Sequence, residues 1–178
     1  MRLPDHESVS IDKGHFSELL AFSGLVFHIC LGFSTNPFEA EELYQEVYLK
    51  AWSRIGSLRT RNSKKYWLVK IARNTSLNYL RKKKMDQGLI SKNRTSMVNL
   101  ETPETAMLKQ EQLLALKEAV RHLAGRYQEV FVLREYGELS YAEISKALGI
   151  RVGTVMSRLN RARKKLRHDL ADYLRRGS

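Results

Sequence analysis

The sequence predicts an all-α protein: two small helical domains joined by a flexible linker, the C-terminal one a helix-turn-helix. Three observations predict it. Three prolines and ten glycines in 178 residues leave long stretches open to helices, and no strand-like alternation of apolar and polar residues appears. The formal net charge of +12 sits at the two ends, with fourteen basic against eight acidic residues over 1–84, fifteen against eight over 106–178, and a net −1 across 85–105. That middle segment also loses helical periodicity, so it reads as the linker between an N-terminal domain at 1–84 and a C-terminal domain at 106–178. Two basic domains on one chain are candidates for nucleic acid.

The totals also exclude classes. Cys30 is the only cysteine, which rules out an intrachain disulfide or thiolate cluster, fits a reducing cytoplasm and points to a small core residue. The opening residues lack the apolar segment of a signal peptide, and no run of about 18 apolar residues exists to span a membrane, so a soluble, cytoplasmic protein without membrane insertion is expected. His6, His15, His28, His122 and His168 are scattered without ligand spacing, and neither a phosphate-cradling glycine loop nor a Gly-x-Ser-x-Gly elbow occurs. No metal, cofactor or catalytic residue is expected, and the chain reads as a non-enzyme.

In chain order, residues 1–12 are polar and read as loose. Phe16, Leu19, Leu20, Ser23, Phe27 and Leu31 recur at helical spacing and predict a first helix over 13–32, apolar enough to be packed on two sides, with Gly32-Phe33-Ser34-Thr35 breaking it. Asn36, Pro37 and Glu39 then supply a cap, a first-position proline and a third-position acid for a helix over 37–55. Its core stripe is Ala40, Leu43, Tyr44, Val47, Ala51 and Ile55. Glu41, Glu42, Gln45, Leu49 and Trp52 lie opposite, an apolar patch in a polar rim that fits a protein partner. From Val47 to Met85 there is no acid against twelve lysines and arginines, the composition of a nucleic-acid surface. Residues 54–62 read as a loop, and Ser63 can cap a third helix running to Lys84, with Trp67, Leu68, Ile71 and Thr75 on one arc, where Trp67 reads as core or, alternatively, as a wedge against DNA.

Thr102-Pro103-Glu104 starts the next helix, with Leu113, Leu116, Val120 and Leu123 as its stripe and Gly125 as its end; a short helix over 127–136 follows, closed by Gly137. The strongest local signal comes next, in residues 140–167. Ser140 with Glu143 forms a capping box, and Gly149 stands where a left-handed residue must stop the helix. On the second helix Val155, Leu159, Ala162 and Leu166 form one apolar stripe, which turns Met156, Ser157, Asn160, Arg161 and Lys164 outward. No acidic residue occurs from Ile144 to Arg167, which suits a phosphate backbone.

The wording of this stretch, Leu-Ser-Tyr-Ala-Glu-Ile followed by Gly-Ile-Arg-Val-Gly-Thr-Val-Met-Ser-Arg-Leu-Asn-Arg-Ala-Arg, resembles the C-terminal domain of the extracytoplasmic-function sigma factors of bacterial RNA polymerase. The resemblance extends to Asn-Pro-Phe-Glu-Ala-Glu-Glu-Leu-Tyr-Gln-Glu-Val-Tyr-Leu-Lys-Ala-Trp and to Trp-Leu-x-x-Ile-Ala-Arg-Asn in the N-terminal half. It implies a factor that binds core RNA polymerase and promoter DNA and initiates transcription. Glu42, Gln45, Glu46, Leu49 and Trp52 would dock on the clamp helices of the largest subunit. Arg59, Arg61, Asn62, Lys70, Arg73, Asn74 and Arg81 would meet the downstream, minus-ten element and help melt it. Arg151, Thr154, Met156, Ser157, Arg158, Asn160, Arg161 and Lys164 would meet the upstream, minus-thirty-five element. An anti-sigma factor is the further partner the resemblance implies.

The family's usual pattern is departed from in five places. Glu42 and Asn78 stand where Asp is common, Leu123-Ala-Gly125 replaces a Leu-Pro, and Met156 and Asn160 replace a basic and an aromatic residue. A stand-alone operator-binding regulator would explain 106–178 equally well but leaves the acid-free stretch before Met85 without a role.

Overall fold

The computed structural model describes residues 16–58, 64–89 and 104–176. Among these there is no strand. After a helical segment at 16–20 and a turn at 21–22, the helices are α1 (Ser23–Phe33), α2 (Pro37–Ser53), α3 (Lys64–Leu89), α4 (Glu104–His122), α5 (Gly125–Glu135), α6 (Tyr141–Leu148) and α7 (Val152–Arg176). A 3₁₀ turn, Ile55–Ser57, follows α2. The expected starts at Ser63 and at Thr102-Pro103, and the segment 90–103, lie outside the described residues.

Helices α1, α2 and α3 pack on one another as an N-terminal unit. The turn at 21–22 divides the expected first helix and resets its register. The continuous stripe is therefore wrong. Leu19 is buried, Leu20 is exposed, and α1 buries Val26, Ile29, Cys30 and Phe33 while Phe27 and Leu31 are only half-buried. The expected break over 32–35 is where α1 ends, at Phe33 with Ser34 as its C-cap, although Gly32 itself is still helical. In α2 the expected stripe holds at Ala40, Leu43, Val47 and Ala51, and Ile55 is buried in the 3₁₀ turn. Tyr48 is buried too, its hydroxyl donating to the Leu19 carbonyl at 3.1 Å, whereas Tyr44 is half-buried. The cap forms as the sequence predicts: Asn36 Oδ1 accepts from Glu39 N at 2.9 Å, and Glu39 Oε2 accepts from Thr35 N at 3.0 Å. Burial opposes ionisation of Glu39, but the hydrogen bonds from Lys83 and the Thr35 amide outweigh it and lower the carboxyl's pKa.

Helix α3 is packed on two sides. It buries Leu68, Val69, Ile71, Ala72, Thr75, Ser76 and Leu80, and Trp67 is half-buried against the same core. One flank meets α1 and α2, and the other meets α6 of the C-terminal unit. Its first residue, Lys64, is itself buried and ion-paired with Glu18.

In the C-terminal unit, α4, α5 and α6 all pack on α7. The stripe expected for α4 is half right: Val120 and Leu123 are buried, but Leu113 is 50% exposed. Gly125 does not end α4; it opens α5, behind Ala124. Gly137 does follow α5, yet the left-handed residue there is Glu138, at φ 52°. The glycine is needed for space, because a Cβ on it would lie 2.9 Å from the Leu133 carbonyl and 3.3 Å from Ile29 of α1. The helix-turn-helix forms as read. Ser140 Oγ accepts from Glu143 N at 3.3 Å, Glu143 Oε2 accepts from Ser140 N at 2.9 Å, and Gly149 takes φ 66°. Val155, Leu159, Ala162 and Leu166 are all buried.

Candidate nucleic-acid and polymerase interfaces

Three outward faces carry the residues singled out in the sequence. The first is the exposed side of α2, fixed by the burial of its opposite stripe. Glu42, Gln45 and Glu46 are exposed there, Leu49 is 71% exposed and Trp52 46%. Trp52 is half covered rather than free: the Phe16 ring meets it edge-on, with centroids 4.9 Å apart. Glu46 pairs with Lys50 one turn on, at 2.5 Å. Phe38, 75% exposed at the start of the same helix, was missed by the sequence reading. The signal was present, since it lies opposite the core stripe, but it falls four residues before Glu42.

The second face is a strip along α3. Lys70, Asn74 and Arg81 are exposed and recur at i, i+4 and i+11, so they share one side of the helix. Arg81 reaches Asn78 Oδ1 at 3.2 Å. Arg73 also donates to Asn74 Oδ1, at 2.9 Å, which leaves the Asn74 amide nitrogen facing outward as a donor. Arg73 itself is not free. It is half-buried and ion-paired with Glu129 of α5, its Nε lying 2.8 Å from the carboxylate. Arg59, Arg61 and Asn62 lie outside the described residues.

The third face is on α7. Opposite its buried stripe, Met156, Ser157, Asn160, Arg161 and Lys164 are all exposed, with Arg151 exposed just before the helix and Thr154 half-buried in its first turn. The Arg151 carbonyl accepts from Thr154 N at 2.9 Å and from Val155 N at 3.1 Å, so Arg151 is the residue from which the helix starts. Ser157 Oγ donates back to the Thr154 carbonyl at 3.1 Å. Arg161 donates to the Tyr127 hydroxyl at 3.4 Å and lowers that phenol's pKa. Met156 and Asn160 also border an open, largely apolar groove shared with Phe131, Tyr141 and Leu170. Arg158 departs from the expected outward set: it is half-buried, and its guanidinium lies 3.0 Å from Glu129 Oε1.

Glu129 therefore holds one arginine from the α3 strip and one from α7. It is 5% exposed. Nothing in the local sequence marks it, because both partners lie far away in the chain. Among the described residues, no group of three or more His, Cys, Asp or Glu side chains could hold a metal ion, and no helix is long and apolar enough to cross a membrane.

The sigma-70 region 2 model matches residues 20–85, and the sigma-70 region 4 model matches residues 113–166. The ECF RNA polymerase sigma factor SigW of Bacillus subtilis is 30% identical over 172 residues, covering 90% of this chain and 91% of that protein. RNA polymerase sigma-H factor of Pseudomonas aeruginosa is 29% identical over 174 residues, covering 92% and 90%. In fold, the chain is similar to the sigma factor RpoE of Bartonella quintana, solved in complex with the anti-sigma factor NepR, with a TM-score of 0.63, 24% identity and coverage of 87% and 95%. The region 2 match over the N-terminal unit is what a stand-alone operator-binding regulator would lack. Two sigma-70 regions in one helical chain, with a relative similar along nearly its whole length, establish that the protein belongs to the extracytoplasmic-function sigma factors, which direct bacterial RNA polymerase to promoters.

Proposed function

We propose the following division of labour for promoter recognition. The outer face of α2, with Glu42, Gln45, Glu46, Leu49 and Trp52 and extended by Phe38, docks on the clamp helices of the largest polymerase subunit. The α3 strip of Lys70, Arg73, Asn74 and Arg81, with Arg59, Arg61 and Asn62 before it, engages the downstream element once the strands part. The α7 face, with Arg151, Thr154, Met156, Ser157, Arg158, Asn160, Arg161 and Lys164, engages the duplex of the upstream element. The carrying observation is chemical: one exposed face is apolar and acidic, two are basic, and all three are backed by buried stripes.

The chemistry of each face supports its assignment. An exposed tryptophan and leucine inside a polar rim form the kind of anchor on which protein interfaces depend. A narrow basic strip with an outward amide suits an unpaired strand, whose base edges are open to hydrogen bonding. A full helix face free of acids suits the major groove, where Asn160 can pair with adenine and Met156 can pack on a thymine methyl. The domains at 1–84 and 106–178, with 85–105 as a linker between them, belong to the same proposal. So do action in the cytoplasm, where polymerase and promoter meet, and control by an anti-sigma factor like that bound to the RpoE neighbour.

Run-off transcription with core polymerase tests the whole reading. Trp52→Ala should weaken core binding by about 2 kcal/mol or more while the chain stays folded, as expected for an interface anchor. Asn74→Ala should still form closed complexes yet lower permanganate reactivity of promoter thymines, because the strand it serves exists only after melting. A variant that unfolds on losing Trp52, or unchanged reactivity without the Asn74 amide, removes the corresponding assignment.

A further inference from the structure

The tryptophan of the α2 face stands where its own helix can do least to hold it. Trp52 is the last residue but one of α2, and the backbone leaves helical geometry at Arg54. Helix ends fray, so a side chain there needs support from outside the helix. The helical segment at 16–20 supplies it. The Phe16 ring meets the Trp52 indole with centroids 4.9 Å apart and planes at 88°, the arrangement in which the positive edge of one ring faces the negative face of the other. Phe16 is fixed in turn from the core side. The Tyr48 ring lies 6.0 Å from it at 84°, and the Tyr48 hydroxyl donates to the Leu19 carbonyl at 3.1 Å. Leu19 is wholly buried, and Glu18 pairs with Lys64, itself buried at the start of α3. Through Phe16, Glu18 and Leu19 the short segment is tied to both α2 and α3.

We propose that Phe16 is a positioning residue for polymerase docking: its ring holds the Trp52 indole in one orientation before core polymerase arrives. The inference rests on the α2 docking face proposed above. An interface side chain that must be immobilised on binding loses rotamer freedom, and that loss subtracts from affinity. Trp52, 46% exposed, has part of its surface already packed on Phe16, so docking has only the remainder to cover. Phe16 acts from behind, half-buried between Tyr48 and Trp52, while Leu20, one turn on and 48% exposed, lies on the open side of the same segment. A residue that merely fills the core tolerates an apolar replacement of similar size. A residue that orients an indole needs the flat edge of a ring.

Substitutions in the full chain test this. Phe16→Leu keeps an apolar side chain and removes the ring edge, whereas Phe16→Tyr keeps the ring. With Trp67→Phe added for the fluorescence measurements, Trp52 is the remaining tryptophan and reports its own mobility. Phe16→Leu should lower the fluorescence anisotropy of Trp52, raise its quenching by acrylamide, and raise the Kd for core polymerase about three- to tenfold. Phe16→Tyr should restore all three. In a Trp52→Ala chain, Phe16→Leu should weaken core binding no further, because no indole is left to orient. Leu20→Ala should leave the Kd at its wild-type value. Helical circular dichroism should match wild type in every variant; a Phe16→Leu chain that loses it marks a core residue and overturns the positioning role. So does unchanged Trp52 mobility in Phe16→Leu, a Phe16→Leu loss that adds in full to that of Trp52→Ala, or an equal loss with Leu20→Ala. Failure of the docking assignment itself would show separately, as wild-type core affinity in Trp52→Ala alone.

Discussion

Helices α3 and α7 are both long, both basic and both assigned to DNA, yet they are built differently. Helix α7 buries one stripe, Val155, Leu159, Ala162 and Leu166, with Thr154 and Arg158 half-buried, and gives its opposite face to solvent. Helix α3 buries residues on two flanks, from Leu68 and Val69 to Thr75 and Ser76, and is left with a strip. A helix packed on one side can enter a groove, whereas a helix packed on two sides can only present an edge. The first geometry suits duplex readout and the second suits a single strand laid across it.

The comparison can be broken first at its foundations. Leu68→Ala and Leu159→Ala each empty a fully packed site and should cost about 2–5 kcal/mol. Chemical denaturation should place the Leu159→Ala loss in the C-terminal unit alone; equal loss of structure in both units would mean that the two helices share one cooperative core. A sharper test concerns bases. Asn160→Ala should cost about 1–3 kcal/mol at one upstream position and nothing elsewhere. If a promoter-variant library shows every sequence weakened alike, Asn160 is a positioning residue and α7 reads shape.

Smaller effects probe the frame and then the charge. Ser140→Ala removes the acceptor of the capping box and should lower stability by about 1 kcal/mol, seen as a lower denaturation midpoint of the C-terminal unit with the N-terminal unit unmoved. Lys164→Ala should cost least on any one sequence but flatten the salt slope of duplex binding by about one, while Lys70→Ala leaves that slope unchanged until a single-stranded template is offered. Equal slopes for both substitutions on duplex DNA would erase the distinction between the helices.

What the sequence disclosed follows the range of the interactions. The cap at Ser140, the left-handed Gly149 and the α7 stripe are settled within one or two turns of chain, and each was readable. So was the exposed face of α2, because its stripe and its Asn36 cap are local. The misreadings share a cause. Gly32 was legible as part of a helix end, but not as a spacer for Val132 and Tyr136, about a hundred residues away in the chain. Leu113 fits a stripe that is buried only at its C-terminal end, at Val120 and Leu123, and the turn at 21–22 shifts a register that spacing alone cannot see. Arg73 and Arg158 were assigned to DNA on charge and position; their common partner Glu129 is a tertiary fact.

Burial of Cys30 has a practical chemical consequence. The sulfur is fully buried within α1, and burial pushes the thiol up to about 12. At neutral pH it is therefore protonated, shielded and slow toward disulfide reagents. Being the chain's single cysteine, it reacts only when the N-terminal helices part, so the rate of thiol modification becomes a clock for local opening of that unit. A cysteine introduced on any exposed face would be labelled long before it.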